Sequence, residues 1–429
     1  MDSQPRGSDW RSILLLVFSL SGTVLAISAA IGTLVLMAVN ESALQEATSS
    51  LLATILTAST LIAIGLLLLP VAWLSLGRLR GRDFETFSFP ALRIRDWVAI
   101  LALWLSAMAL ATLFHNSPGA NWYAPFLHFF SIALPLYLVI RFSINRIPLG
   151  SSQRAWGVFG SGMTLSPLLS VIAEGIVIIL GLIVFAVYLG LNPEKVFDIE
   201  RLANQIQQAP DLDNLVFLIG PFLKNPLTLL TALTLLSVFV PIIEEIFKSL
   251  GVWLVADRLS TPAQGFALGV LSGAGFALAE SLFASVTADD TWALTLTMRA
   301  ISSAMHMLAA GLVGWGIAYA RLEKRYLRLF GMLLLAMLLH GVWNAGAVFS
   351  MAGGVGVMLS MPEFDIFSSI MLLGGIGLIF LLVSGMFVAL FILNLRLRTS
   401  SQSPSFPAEM EEQSRALPPG ERGDEGGVK

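Results

Sequence analysis

The chain has 429 residues, of which 56% are hydrophobic and 12% charged, with a formal net charge of −3 and no cysteine. A soluble domain of this length needs far more polar surface, so the composition is that of a polytopic membrane protein. The small net charge gives no reason to expect a nucleic-acid partner, and the lack of cysteine excludes disulfides, thiol nucleophiles, iron–sulfur clusters and cysteine-ligated zinc.

A helix needs about 20 apolar residues to cross about 30 Å of hydrocarbon. Ten stretches qualify in chain order: Ser12–Val39, Leu51–Leu76, Trp97–Phe114, Trp122–Ile140, Met163–Leu191, Leu227–Ala256, Ala263–Thr287, Trp292–Ala320, Leu329–Met351 and Ile366–Asn394. The first exceeds a signal-peptide core and is expected to be an anchor. The connecting loops alternate. Arg6 and Arg11 precede the first span, "NESALQEATSS" has no Lys or Arg, and "RLRGRDFETFSFPALRIR" has five Arg. "HNSPGAN" has none, Arg141, Arg146 and Arg154 mark the next loop, and Arg258, "RLEKRYLRL" and "RLR" continue the basic series against "TADD" and "AGGVGVMLSMPEFD". By the positive-inside rule both termini are expected in the cytoplasm.

Two segments fall outside the spans. In 192–226, Ile199, Leu202 and Ile206 repeat at helical spacing and predict a short amphipathic helix. "NLVFLIGPFLK" after it is too short to span and suits the interface, so the segment reads as an outer cap or lid, the plainer alternative being a connecting loop. The tail after Arg398, rich in Ser, Pro, Glu and Gly, is expected to be disordered.

Ionisable groups in spans are rare and costly, at about 2.5–3.5 kcal/mol each for Asp, Lys or Arg at the centre. The first four spans hold almost none; His128 lies near an outer end, within reach of the interface, and the fifth holds Glu174. Spans six to nine hold Glu244, Glu245, Lys248, Glu280, Arg299, His306 and His340. Such a set must face inward and satisfy itself or line a wet cavity, so one site built by these four helices is expected.

Each group also has a plainer reading. Lys248 follows Glu244 by four residues and Glu245 by three, which suits a structural ion pair, although one ammonium leaves a carboxylate to spare. Pro241, one turn before the pair, should kink the helix or open it towards a cavity. Gly265, Gly269 and Gly273 form a packing face, which does not account for Glu280. Arg299 lies near an outer end and can snorkel; His306 alone would be a core histidine. His340 alters that, because it too is mid-span, with Asn344 one turn on. Carboxylates that activate water, with His and Asn to hold it and stabilise an oxyanion, compose a hydrolytic site. The same Glu and His groups suit a divalent metal. Depth tests the single site: at about 1.5 Å per residue, Glu244 and Glu280 fall about 11 Å apart along the membrane normal. H-E-x-x-H, G-x-S-G and G-x-G-D are all absent, which excludes three other intramembrane protease chemistries.

Four pieces carry a family resemblance: "EEIFK" (Glu244–Lys248), "FALAE" (Phe276–Glu280), "RAISSAMH" (Arg299–His306) and "HGVWN" (His340–Asn344). In order and spacing they resemble PrsW-type intramembrane proteases and, through them, the superfamily of CAAX prenyl endopeptidases and bacteriocin-processing proteins. The resemblance covers about Leu227–Met351. It implies an endopeptidase of a prokaryotic cell membrane that cleaves a membrane-associated protein or peptide, such as an anti-sigma factor. By position, Glu244 would be the water-activating base and Glu245 its neighbour or orienter; Glu280, His306 and His340 would complete a water site or bind a divalent metal such as zinc; Asn344 would polarise the scissile carbonyl; Lys248 and Arg299 would support. The sequence departs from the wider superfamily where its second motif ends in Glu280 rather than His and its first in Lys248 rather than Arg. A metal-free glutamate–histidine mechanism stands beside the metal one. The expected organisation is an all-α membrane protein of about ten helices: five over 1–191, the lid over 192–226, a protease-like core of four over 227–351 (helices six to nine), a last helix over 352–398 and the tail over 399–429. The alternatives are an ion-coupled transporter, against which the confinement of charge to one half counts, and a non-enzymatic scaffold, for which buried ion pairs are a poor source of stability.

Overall fold

The structure is a computed structural model and describes residues 10–39, 48–208, 225–287, 292–360 and 363–400, except 83, 88, 91, 115, 116 and 118, together with 214, 217, 218, 220 and 221. Asp289, Asp290, most of "NLVFLIGPFLK" and the expected disordered tail beyond residue 400 lie outside the described residues. The described regular structure is helical, and its β-type pairing is an isolated bridge between Thr86 and Ser151. Among the described residues, ten helical segments are long and apolar enough to cross a membrane, matching the ten hydropathic stretches one for one.

The helices are α1 (Trp10–Val39), α2 (Thr48–Leu79), α3 (Ile94–Phe114), α4 (Ala120–Ser143), α5 (Ser152–Met163), α6 (Leu165–Leu191), α7 (Pro193–Gln207), α8 (Pro226–Thr234), α9 (Val240–Lys248), α10 (Leu250–Trp253), α11 (Pro262–Ala284), α12 (Trp292–Glu323), α13 (Tyr326–Ser360) and α14 (Ile366–Ser400). The amphipathic pattern at Ile199, Leu202 and Ile206 is realised in α7. Hydropathy alone leaves 152–162 as a connection, yet this stretch is helix α5, capped by the Ser151 hydroxyl, which accepts from the Arg154 N–H. Its Gly, Ser and Gln residues depress hydropathy, but they allow close packing on α11, where Gly162 meets the Ser272 carbonyl.

Helices α11 and α12 form the centre and are buried along nearly their whole length. Helices α4 and α5 cover α11, α13 covers α12, and α14 packs on α13. Helices α1 and α2 pair and join the bundle through α4 and α5. Most side chains of α6 point outward and are apolar, as a lipid-facing helix requires. Asp257, outside the spans, accepts from Arg11 at 2.9 Å, which clips α1 to the turn after α10. That hydrogen bond holds the Asp257 carboxyl below its ordinary value.

The α11–α12 contact explains the glycine repeat. Without a Cβ, Gly265, Gly269 and Gly273 lie against the backbone carbonyls of Gly314, Ala310 and His306. Gly273 therefore fixes how closely the His306 backbone approaches. Gly273→Ala gains up to about 1 kcal/mol of helix propensity, but overpacking this contact costs about 1–3 kcal/mol. Net destabilisation is expected, read as a lower unfolding temperature in detergent; an unchanged or higher temperature would contradict this contact.

His128 does not reach the interface. It is buried, its Nε2 lies 3.0 Å from the Leu282 carbonyl, and its ring stacks on Trp292. Helix α4 passes beside the end of α11, so the position that hydropathy places near an outer end is covered by tertiary contacts.

Candidate active site

The site begins with a local defect in the sixth span. Between α8 and α9, Leu235–Phe239 forms a π-helical turn in which the Val240 N–H donates to the Leu235 carbonyl, five residues back. In that register the Leu236 carbonyl would take its bond from residue 241. Pro241 has no N–H, so the carbonyl is left open. The Asn344 side-chain amide on α13 fills the vacancy, donating to the Leu236 oxygen at 2.7 Å. Three residues before Asn344, Gly341 admits the Ser237 carbonyl where a Cβ would collide with it. The kink expected at Pro241 is thus a π turn clamped by the "HGVWN" segment. Asn344→Ala should leave a carbonyl unpaired, costing about 1–3 kcal/mol; an unfolding temperature equal to that of the parent would refute the clamp.

The clamp places α9 against α13, so Glu244, Glu245 and Lys248 meet His340. Lys248 Nζ lies 2.8 Å from Glu244 Oε2 and 2.7 Å from Glu245 Oε1, and therefore bridges both carboxylates. His340 Nδ1 lies 2.8 Å from Glu245 Oε1 and 3.8 Å from Glu244 Oε2. Glu245 and Lys248 are fully buried, whereas Glu244 keeps 7% exposure. Lys248 also sits 4.4 Å above the Phe276 ring, the first residue of "FALAE". The Ser272 hydroxyl accepts no part of this charge; it donates to the Lys248 carbonyl at 2.5 Å and ties α9 to α11.

A second group lies on α11 and α12. Glu280 Oε2 is 2.6 Å from Arg299 and 2.9 Å from His306 Nε2, so Arg299 is paired with a carboxylate instead of snorkelling alone. The His306 ring contacts Phe276, with centroids 5.4 Å apart, and meets His340 edge to face at 5.3 Å. The two histidines therefore link Glu280 to the Glu244–Glu245 pair. The structure brings all the expected ionisable residues into one continuous cluster running from Arg299 to Lys248.

One atom from each of Glu244, Glu245, His306 and His340 lies within 4.8 Å of the others, a donor set that could hold a metal ion. Glu280 is not in that set; its contacts are Arg299 and His306. Glu245 Oε2 and His306 Nδ1 are buried without a hydrogen-bond partner among the described residues. Two carboxylates, two imidazoles and these open lone pairs fit a divalent ion of the zinc type. The Lys248 ammonium shares the space, but its single charge does not balance two carboxylates.

Sequence reasoning left Phe276, Gly341 and the Leu236 carbonyl out of the site. The signals were present in the "F" of "FALAE", the "G" of "HGVWN" and the proline five residues after Leu236, but each acquires meaning only when the helices are in contact.

A family model described as PrsW family intramembrane metalloprotease matches residues 206–373, which include Glu244, Glu245, Lys248, Glu280, Arg299, His306, His340 and Asn344. The match spans less than half the chain and leaves out α1–α6. No curated protein and no solved structure matches the chain.

Proposed function

We propose that this integral membrane protein is an intramembrane endopeptidase whose centre is formed by α9, α11, α12 and α13. The family match supports a peptidase acting on a protein or peptide in the membrane. The observation that carries the reading is the convergence of two buried carboxylates and two histidines inside spans, with only one ammonium to balance the carboxylates.

Glu244, the less buried member of the pair, takes the proton from the attacking water. Glu245 is locked by Lys248 and His340 and orients them. His306 is held through Nε2 by Glu280, which Arg299 holds in turn, so its Nδ1 lone pair is left to hold water or the ion. Asn344 has given one amide hydrogen to the Leu236 carbonyl. The other hydrogen remains for the scissile carbonyl, whose approach is then aligned by the π turn. Glu244, Glu245, His306 and His340 would hold a divalent ion such as zinc, which when bound supplies Lewis acidity towards water and carbonyl oxygen. We place both termini in the cytoplasm on the loop charges.

The test is metal content and peptide cleavage of the purified full chain in lipid nanodiscs. One equivalent of zinc, lost in His306→Ala and His340→Ala together with cleavage, is the expected result. Cleavage that persists in both variants would overturn the assignment of the site.

A further inference from the structure

Glu174 is the single acidic or basic residue of α6, a helix that otherwise presents Leu168, Val171, Ile172, Ile176 and Ile179 outward. Helix α6 precedes the family-matched segment, so nothing in that match gives Glu174 a role. A carboxylate here is costly and calls for a reason. No structural reason is evident: Glu174 Oε1 is buried and has no hydrogen-bond partner among the described residues. Its helix packs against α9 and touches α11. The charges that act on its carboxylate are those of Glu244, Glu280 and Lys248, two like charges and one opposite. A group kept for stability would not be placed towards two other carboxylates, since like charges in low dielectric repel strongly.

The balance of formal charge supplies a reason. With all four carboxylates ionised, Glu174, Glu244, Glu245 and Glu280 against Lys248 and Arg299 would leave two negative charges in the membrane interior. One divalent cation neutralises them. Without Glu174 the same ion would leave an uncompensated positive charge. We propose that Glu174 is a positioning residue of the centre: through its field, and not as a ligand, it supplies the negative charge that makes Glu244, Glu245, His306 and His340 hold a divalent cation tightly. The inference rests on the metal form of the peptidase reading. It also gives α6 a part in the chemistry from outside the matched region.

The experiment uses the full-length protein in nanodiscs of uncharged lipid and zinc alone as probe, with affinity read by chelator competition and folding by thermal unfolding without metal. Glu174→Gln should still bind one equivalent of zinc, with affinity lower by about 10-fold, the low end of what groups behind metal ligands contribute. Glu174→Asp should restore most of that affinity, because it restores the charge. Unchanged affinity in Glu174→Gln, or an equal loss in Glu174→Asp, would overturn the role of Glu174 while leaving the metal site intact. Wild-type protein that binds no zinc, or binds it equally well after His306→Ala and His340→Ala, would refute the metal reading itself and this inference with it.

Discussion

Lys248→Met is expected to destabilise the protein by about 3–5 kcal/mol, the usual effect of removing one partner from a buried ion pair. Methionine fills nearly the same volume, so the effect is electrostatic and not a cavity. The ammonium is fully buried and lies within 2.8 Å of both Glu244 and Glu245. Its removal leaves two carboxylates side by side in low dielectric with only His340 close to both. The measurement is thermal unfolding in detergent for Lys248→Met, Glu245→Gln and the double variant. The double variant should recover much of the lost stability, since the surplus charge goes with the glutamine. Additive losses would show that Lys248 and Glu245 act independently, contrary to the geometry.

The second large effect separates the two glutamates. Glu244→Gln should lower the turnover of a membrane-anchored reporter peptide by about 10²–10⁴-fold, the range for loss of a general base, with KM little changed. Its unfolding temperature should stay close to that of the parent, because Lys248 retains Glu245. Glu245→Gln should behave in the opposite sense, with a clear loss of stability. That side chain is fully buried and accepts from both Lys248 and His340. Full activity in Glu244→Gln would exclude it as the base.

The ten spans were legible because membrane hydropathy is a one-dimensional signal, and the all-α architecture followed from it. The charged members of the cluster were legible for a related reason: an ionisable residue stands out against lipid, so Glu244, Glu245, Lys248, Glu280, Arg299, His306 and His340 identify themselves. Pairing is a different matter. That Arg299 meets Glu280, and that His306 and His340 meet between Glu280 and the Glu244–Glu245 pair, depends on helix rotation and tilt. Local sequence does not encode either. The register of the π turn is set jointly by Pro241 and by Asn344, which lies more than a hundred residues away. Asn344 thus has a structural bond that its place in a catalytic-looking motif conceals. Helix α5 was missed because its burial comes from small residues packed on α11, and small polar residues read as loop.

The partners of the two acidic groups also bear on how the chain enters the bilayer. Glu245 finds Lys248 one turn away on its own helix, so that charge can be offset while the segment is still a solitary hairpin arm at the translocon. Glu280 has no such neighbour. Its partners Arg299 and His306 are both on the following helix, so α11 and α12 must be inserted as a unit before that carboxylate is shielded. His340 is synthesised last and meets a pair already neutralised in part. From α9 onward, the order of synthesis therefore matches the order in which the charges can be quenched, and assembly of these contacts is completed only when α13 arrives.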